Sequence, residues 1–251
     1  ELGSLGAICE TSNLAPKGKT AFIFSGNGSQ YRGMGALLYA KEKVFADAFD
    51  KASKLLFNIS KIDYKEIVKS DDNSYDLSSP VIAQPLIFAI QYALFEFIKS
   101  KGLNADGCSG HSVGEVASAC ICGALSLEDA CKLIVKRSFY QEKTSKNGAM
   151  AAVKLSYEKL CGLLKLDEYK SISIAAYNAP DSFTLSGDKD LISKFSDRVK
   201  ALRGVIKVLK LNYAFHSDFM DPIENDLKKS LSDISPKNSD IDFYSSVYGR
   251  K

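Results

Sequence analysis

The sequence predicts an α/β protein in two parts, a larger domain on a parallel sheet and a small unit inserted late in the chain. Three observations carry this. Gly110-His111-Ser112-Val113-Gly114-Glu115 has the form of a sharp strand-to-helix turn. Before residue 147, short apolar runs of strand length alternate with helical stretches. After Asn147-Gly148 the pattern changes to a β-α-β-β-α-β order. A chain of 251 residues can bury the core of one domain and a subdomain together.

Residues 1–18 are polar, lack periodicity and end in Ala15-Pro16-Lys17-Gly18, so they read as a linker. The chain opens on Glu1 rather than methionine and reads as a piece of something longer. Thr20-Ala21-Phe22-Ile23-Phe24-Ser25 is an apolar run of strand length. It enters Gly26-Asn27-Gly28-Ser29-Gln30, either a loop whose N–H groups suit an anion or an ordinary turn. Phe45, Phe49, Ala52 and Leu56 recur at helical spacing, and residues 69–79 read as a loop. Pro85 stands near the start of a helix with Ile87, Ile90, Leu94 and Ile98 on one face. Residues 103–109 feed a strand into the Ser112 turn, and the small apolar residues 116–122 pack a helix behind it. Ser126 caps a helix that runs through Leu133, Ile134 and Arg137 to about Gln141. Residues 149–155, 171–176, 183–187 and 205–209 read as strands, with a short helix after the first and a longer one over 188–202. The expected division is therefore a linker at 1–18, an α/β-hydrolase-like core at 19–146 and 211–251, and a ferredoxin-like subdomain at 147–210.

Glycines flanking Ser112 leave room for the tight backbone a nucleophilic serine needs. The helix that follows turns its free N–H groups toward an anion forming there. The same residues also suit a surface turn before a buried helix. His111 adjoins Ser112, and neighbouring side chains on such a turn point apart, so His111 is a poor base. His216, the only other histidine, is the distant partner that serine–histidine catalysis calls for, or else a hydrogen-bonded structural residue.

Composition narrows the function class. With 33 Lys and Arg against 30 Asp and Glu, the net charge is +3, and the lysines are dispersed, which argues against nucleic acid as a partner. The six cysteines, Cys9, Cys108, Cys120, Cys122, Cys131 and Cys161, lack zinc spacing, so no metal site is expected and a reducing cytoplasm is. No uninterrupted run of about 18 apolar residues and no signal peptide is apparent, so no membrane span is expected.

With these residues in view, the chain resembles the malonyl-CoA:acyl carrier protein transacylase family, and more narrowly the acyltransferase domains of polyketide or fatty acid synthases. The likeness runs from about Thr20 to Gly249. Its landmarks are the turn at 26–30, Ala83-Gln84-Pro85, the Ser112 motif, Ala124-Leu125-Ser126-Leu127, Arg137-Ser138, Asn178-Ala179-Pro180, Ser186-Gly187-Asp188 and Ala214-Phe215-His216-Ser217. The resemblance implies a ping-pong transfer. Ser112 attacks the thioester of malonyl-CoA with His216 as base, and the phosphopantetheine thiol of an acyl carrier protein then takes the acyl group. The backbone N–H groups of Asn27 and Val113 would form the oxyanion hole. Arg137 stands where the family pairs an arginine with the malonyl carboxylate, and apolar Leu133-Ile134-Val135 lead into it, although a solvated helix position is the plain alternative. Gln84, Asn178, Tyr213, Phe215 and His111 complete the implied substrate-binding set. No tightly bound cofactor is implied, and a neighbouring ketosynthase domain is.

Three departures stand out. Asn27 replaces the family's usual glutamine. Tyr213-Ala214-Phe215-His216 mixes the malonyl-selective pattern His-Ala-Phe-His with the methylmalonyl-selective Tyr-Ala-Ser-His; bulky Phe215 and Val113 favour malonyl. The chain stops at Lys251, before the family's segment that commonly orients the histidine, and reads as truncated there. Arg137 argues against an acyl hydrolase that clears stalled thioesters, and the intact Ser112, His216 and Arg137 set argues against an inactive structural module.

Overall fold

The computed structural model describes residues 18–70, 74–144 and 147–251; apart from Gly18, the expected linker lies outside them. The larger part is α/β with a parallel sheet. β1 (Ala21–Phe24) and β2 (Gly107–Gly110) pair in parallel, Ala21 opposite Gly107 and Phe24 opposite Gly110. β7 (Asp242–Tyr244) joins the other edge of β2, so the order is β1-β2-β7. Around the sheet lie α1 (Ala36–Lys41), α2 (Lys43–Ser60), α3 (Tyr64–Lys69), α4 (Pro80–Ser100), α5 (Gly114–Ile121), α6 (Leu127–Glu142) and α9 (Asp221–Ser230). Phe45, Phe49, Ala52 and Leu56 are wholly buried, as the helical spacing in α2 requires. Ser126 caps α6 by accepting from the Asp129 N–H at 3.0 Å.

Residues 148–208 form a second unit around its own core. Its strands are β3 (Gly148–Lys154), β4 (Ser173–Ala179), β5 (Ser182–Asp188) and β6 (Val205–Val208), paired antiparallel in the order β4-β5-β3-β6. Helices α7 (Tyr157–Leu164) and α8 (Lys189–Ala201) supply Leu160, Ile192, Phe195 and Val199 to that core. Met150, Tyr213 and Phe215 form a third, smaller cluster. It ties β3 to the segment that carries His216.

Several elements differ from expectation. α1 and α3 have six residues each and β7 has three, too short to show a period. α9 fully buries no side chain; its apolar stripe is only Ile223 and Leu227, one turn apart and half-buried, too short to mark a helix in sequence. Of the segment 103–109 expected to feed a strand, only 107–109 are in β2, which continues to Gly110. No run of about 18 apolar residues was expected, and one described helix nevertheless has the length and composition to cross a membrane. α4, at 21 residues, is long and apolar enough by length and composition. In this fold it is the core helix, with Leu86, Phe88 and Ala89 buried as well as Ile87 and Ile90, so it is apolar on more than one face.

Pro85 falls inside α4 rather than near its start. Proline has no N–H, so the carbonyl four residues earlier, that of Val81, loses its helical donor. The buried Tyr64 hydroxyl of α3 donates to Val81 O at 2.7 Å and satisfies it. Tyr64→Phe should therefore strand a carbonyl in the core and destabilise the protein by about 1–3 kcal/mol. Urea unfolding should show this as a lower midpoint at unchanged slope, and an unchanged midpoint would mean that water satisfies the carbonyl instead.

Candidate active site

The site begins where β2 turns into α5. A Cβ on Gly110 would lie 2.1 Å from the Gly114 carbonyl carbon, and one on Gly114 would lie 2.1 Å from Phe24 O. The three backbones thus touch with no side chain between them. Ser112, at the apex, has φ +52, in the left-handed region that costs a non-glycine residue of order 1–3 kcal/mol. Among the described residues four non-glycine positions have positive φ, and His216, at +59, is another of them.

The structure brings Ser112, His216 and Arg137 together across 104 and 25 residues of sequence. Ser112 Oγ lies 2.9 Å from His216 Nε2. Arg137 Nη2 donates to the same Oγ at 3.0 Å. A guanidinium cannot accept, so the serine proton is left to the histidine, and Nε2 is the acceptor. Arg137 Nη1 donates to Gln84 Oε1, and Gln84 Nε2 donates to Gln141 Oε1 at 2.7 Å. Gln84 and Gln141 are both buried, so the arginine is aimed by a satisfied polar chain. Leu133, Arg137 and Gln141 are spaced four apart and share one side of α6.

Burial of the guanidinium pulls Arg137 down to about 10, with Glu115 acting in the opposite sense, so it stays charged at neutral pH. His216 is exposed, with its Nε2 held against Ser112 Oγ. Desolvation first, then the charges of Arg137 and His111, hold it down to about 4 against a smaller raising effect of Glu115. Glu115 is in turn bonded by the Ser246 N–H at 2.7 Å and the Ser245 hydroxyl at 3.1 Å, from the chain just after β7. Ser112, Glu115, Leu133, Arg137, His216 and Phe243 line a cavity of about 390 Å³.

Gly26 leaves no room for a Cβ, which would lie 2.6 Å from His111 O and 2.7 Å from His111 Nδ1. The loop after β1 therefore rests on the elbow. Neither the Asn27 nor the Val113 N–H has a hydrogen-bond partner among the described residues, and the Asn27 Oδ1 is buried without one. Tyr213 and Phe215 are buried and stacked, rings 5.2 Å apart at 6°. The Tyr213 hydroxyl donates to Glu142 Oε1 at 2.9 Å, so it is held by α6 rather than free. Asn178 is not brought to Ser112. It is exposed on β4, donates to Thr184 Oγ1 at 3.0 Å, and lines a separate aromatic groove with Tyr157, Tyr177 and Phe183. Its position in the Asn-Ala-Pro stretch at the β4 end puts it on the far part of the small sheet.

Sequence reasoning missed Glu115, Gln141 and Glu142 as site residues. Glu115 lies in the Ser112 motif, and Gln141 is one helical turn from Arg137, so both had a local signal. Glu142 had none, because its partner is 71 residues away.

An α/β fold with a serine at a glycine elbow, a histidine on its Oγ and two unpartnered N–H groups in the adjoining turns has the parts that nucleophilic chemistry at a serine uses. Comparison with known proteins makes that specific: residues 21–251 match the acyl transferase domain family, and the chain belongs to it. It is 34% identical over 247 residues to probable polyketide synthase 45 of Dictyostelium discoideum, covering 96% of this chain and 8% of that protein. It is 33% identical over 246 residues to mycoketide-CoA synthase of Mycobacterium tuberculosis, covering 98% of this chain and 6% of that protein. Among solved structures it is similar to the acyltransferase domain from the second module of the salinomycin polyketide synthase, with a TM-score of 0.85 and 32% identity over 93% of this chain and 54% of that one. The malonyl CoA-acyl carrier protein transacylase of Clostridium perfringens superposes with a TM-score of 0.83 at 25% identity, covering 93% of this chain and 73% of that one. The chain therefore spans a small fraction of the curated synthases it matches.

Because His216 is held down to about 4, it remains neutral and able to take a proton through neutral and mildly acidic pH. Modification of Ser112 by a sulfonyl fluoride should stay level from pH 7 to roughly 5 and fall below that. Arg137→Ala removes a cation beside the ring and should move the acid limb to higher pH. An acid limb already near pH 6.5 in the wild type would show that neither desolvation nor the Arg137 charge lowers the ring.

Proposed function

We propose that the chain moves a malonyl group from malonyl-CoA to the phosphopantetheine thiol of an acyl carrier protein, through an ester on Ser112. The observation that carries this reading is the convergence of His216 and Arg137 on one serine oxygen. Ser112 Oγ attacks the thioester carbon while its proton passes to His216 Nε2. The C–S bond then breaks, and the coenzyme A sulfur leaves with that proton. In the second half the carrier thiol loses its proton to His216, attacks the ester, and Oγ leaves and takes the proton back. The charge that develops on the carbonyl oxygen in each half is directed to the Asn27 and Val113 N–H groups.

Arg137 supports a carboxylated acyl group. Two of its five N–H donors are engaged with Ser112 and Gln84, and three remain for a carboxylate. A malonyl carboxylate is two carbons from the reacting carbonyl, so pairing it beside Ser112 brings that carbonyl to Oγ. The same arginine disfavours a hydrolase of neutral acyl groups, and the assembled Ser112–His216 pair disfavours an inactive module. Phe215 and Val113 support malonyl over methylmalonyl. Chemistry of this kind needs no tightly bound cofactor. The synthase relatives support a carrier protein and a neighbouring ketosynthase as partners, and the free cysteines Cys108, Cys120, Cys122, Cys131 and Cys161 suit the cytoplasm. The strand order β4-β5-β3-β6 with two helices supports reading 147–210 as a ferredoxin-like subdomain.

Loading can be read directly by intact-mass spectrometry. Ser112→Ala should carry no malonyl adduct. Arg137→Ala should lose about 10–150-fold in malonyl loading relative to acetyl loading, the equivalent of a charge-assisted pair worth about 1.5–3 kcal/mol. Equal losses for the two acyl groups would make Arg137 a structural residue.

Extender choice follows from the Tyr213–Phe215 stack. Competition between the two CoA esters should favour malonyl over methylmalonyl by roughly 10–200-fold in kcat/KM. Phe215→Ser should shrink that ratio, whereas Tyr213→Phe, which removes only the hydroxyl held by Glu142, should leave it alone. A wild type that takes both esters equally would overturn the malonyl assignment.

A further inference from the structure

Three successive peptide units after β1 are each gripped by a side chain. Gln91 of α4 donates from Nε2 to Ser25 O at 2.8 Å, which holds the Ser25–Gly26 peptide. Ser29 donates from Oγ to Gly26 O at 2.9 Å, which holds the Gly26–Asn27 peptide. Gln30 Oε1 accepts from the Gly28 N–H at 2.8 Å, while its Nε2 donates to Leu77 O at 2.9 Å, which holds the Asn27–Gly28 peptide. The middle unit matters most, because its N–H is that of Asn27.

A trans peptide is planar, and its C=O and N–H point in opposite directions within that plane. A hydrogen bond that pins Gly26 O therefore sets where the Asn27 N–H points. The same bond draws electron density toward the carbonyl oxygen and makes the N–H a stronger donor. That N–H has no partner among the described residues, and the loop rests on the backbone of His111 beside the nucleophile. A serine bonding back to the carbonyl three residues earlier is a common way to close a turn. What distinguishes Ser29 is the peptide it holds.

We propose that Ser29 is a positioning residue for acyl transfer, whose hydroxyl aims the Asn27 N–H at the oxyanion formed during reaction at Ser112. The inference rests on the acyl-serine step of the proposed function and not on the identity of the acyl group. It extends the site to a side chain that never touches substrate.

The tests are Ser29→Ala, Ser29→Cys and Ser29→Thr in the full chain. Two readouts are taken: malonyl transfer from malonyl-CoA, and modification of Ser112 by phenylmethanesulfonyl fluoride. In the second, the serine oxygen bonds to sulfur, fluoride leaves, and the serine proton goes to His216, with the sulfonyl oxygen taking the place of the acyl oxyanion. Loss of a whole oxyanion donor costs about 10²–10³ in rate, and a donor left in place but misaimed should cost less, about tenfold. Ser29→Ala should therefore lower kcat and the sulfonylation rate about tenfold, with KM within about twofold of the wild type. Ser29→Thr, which keeps the hydroxyl, should recover most of both rates. Ser29→Cys, a weaker donor of similar shape, should fall between and guards against a loop that rearranges in the alanine variant. A merely structural serine would lower the melting temperature or raise KM and leave kcat alone. Wild-type rates in Ser29→Ala, or a threonine variant no better than alanine, would overturn the proposal. If the wild type is sulfonylated yet accepts no malonyl group, the proposed function fails, while the sulfonylation rates still decide the role of Ser29.

Discussion

The contact on which the site depends is between backbones. β1, β2 and the first turn of α5 meet at Phe24, Gly110 and Gly114 with no side chain separating them. Any Cβ at either glycine would push the strand and the helix apart. Because they touch, the turn between them is short enough to force Ser112 to φ +52 and to project its oxygen from the end of the sheet. The strain is held by the sheet register, in which Phe24 lies opposite Gly110, and by the His111 N–H bond to Phe24 O at 2.9 Å. The loop after β1 begins at that point, so Ser112 and the Asn27 N–H are set by the same packing.

The electrostatics follow from this placement. A cation beside an unionised serine has no local benefactor, so Arg137 is supported from behind by Gln84 and Gln141 and at longer range by Glu115. Its charge adds to the partial desolvation of the ring in lowering His216. Neutral imidazole can take a proton and cationic imidazole cannot, so the guanidinium bonded to Ser112 also favours the form of the ring that can accept one.

His216 reaches Ser112 from 104 residues further along the chain. His216 follows a segment locked to both parts of the fold. Tyr213 is bonded to Glu142 of α6, and a Cβ on Gly148 of β3 would lie 2.3 Å from Ala214 N. Glu142 also accepts from Ser79 at the start of α4 at 3.0 Å. The helix that carries Arg137 and the segment that carries His216 therefore share one anchor, which keeps their separation at Ser112 from drifting.

Local chemistry alone specified much of this protein. The Ser112 elbow, the Ser126 cap, the buried stripe of α2 and the strand-and-helix order after residue 147 each depend on residues within a turn or two, so spacing reveals them. The elbow glycines nominated Ser112, and the shortage of histidines nominated His216. Tertiary structure decided the rest. β7 has three residues and exists only because β2 offers it an edge. The carbonyl that the internal proline of α4 leaves without a helical donor is met by Tyr64, 17 residues away. Asn178 matched a family position, yet the fold leaves it on the small sheet, bonded to Thr184. Tyr213 read as lining a pocket, and it proves to be tied to Glu142. A side chain's type is written in the sequence, but its partner is set by which distant backbones can pack without a Cβ between them.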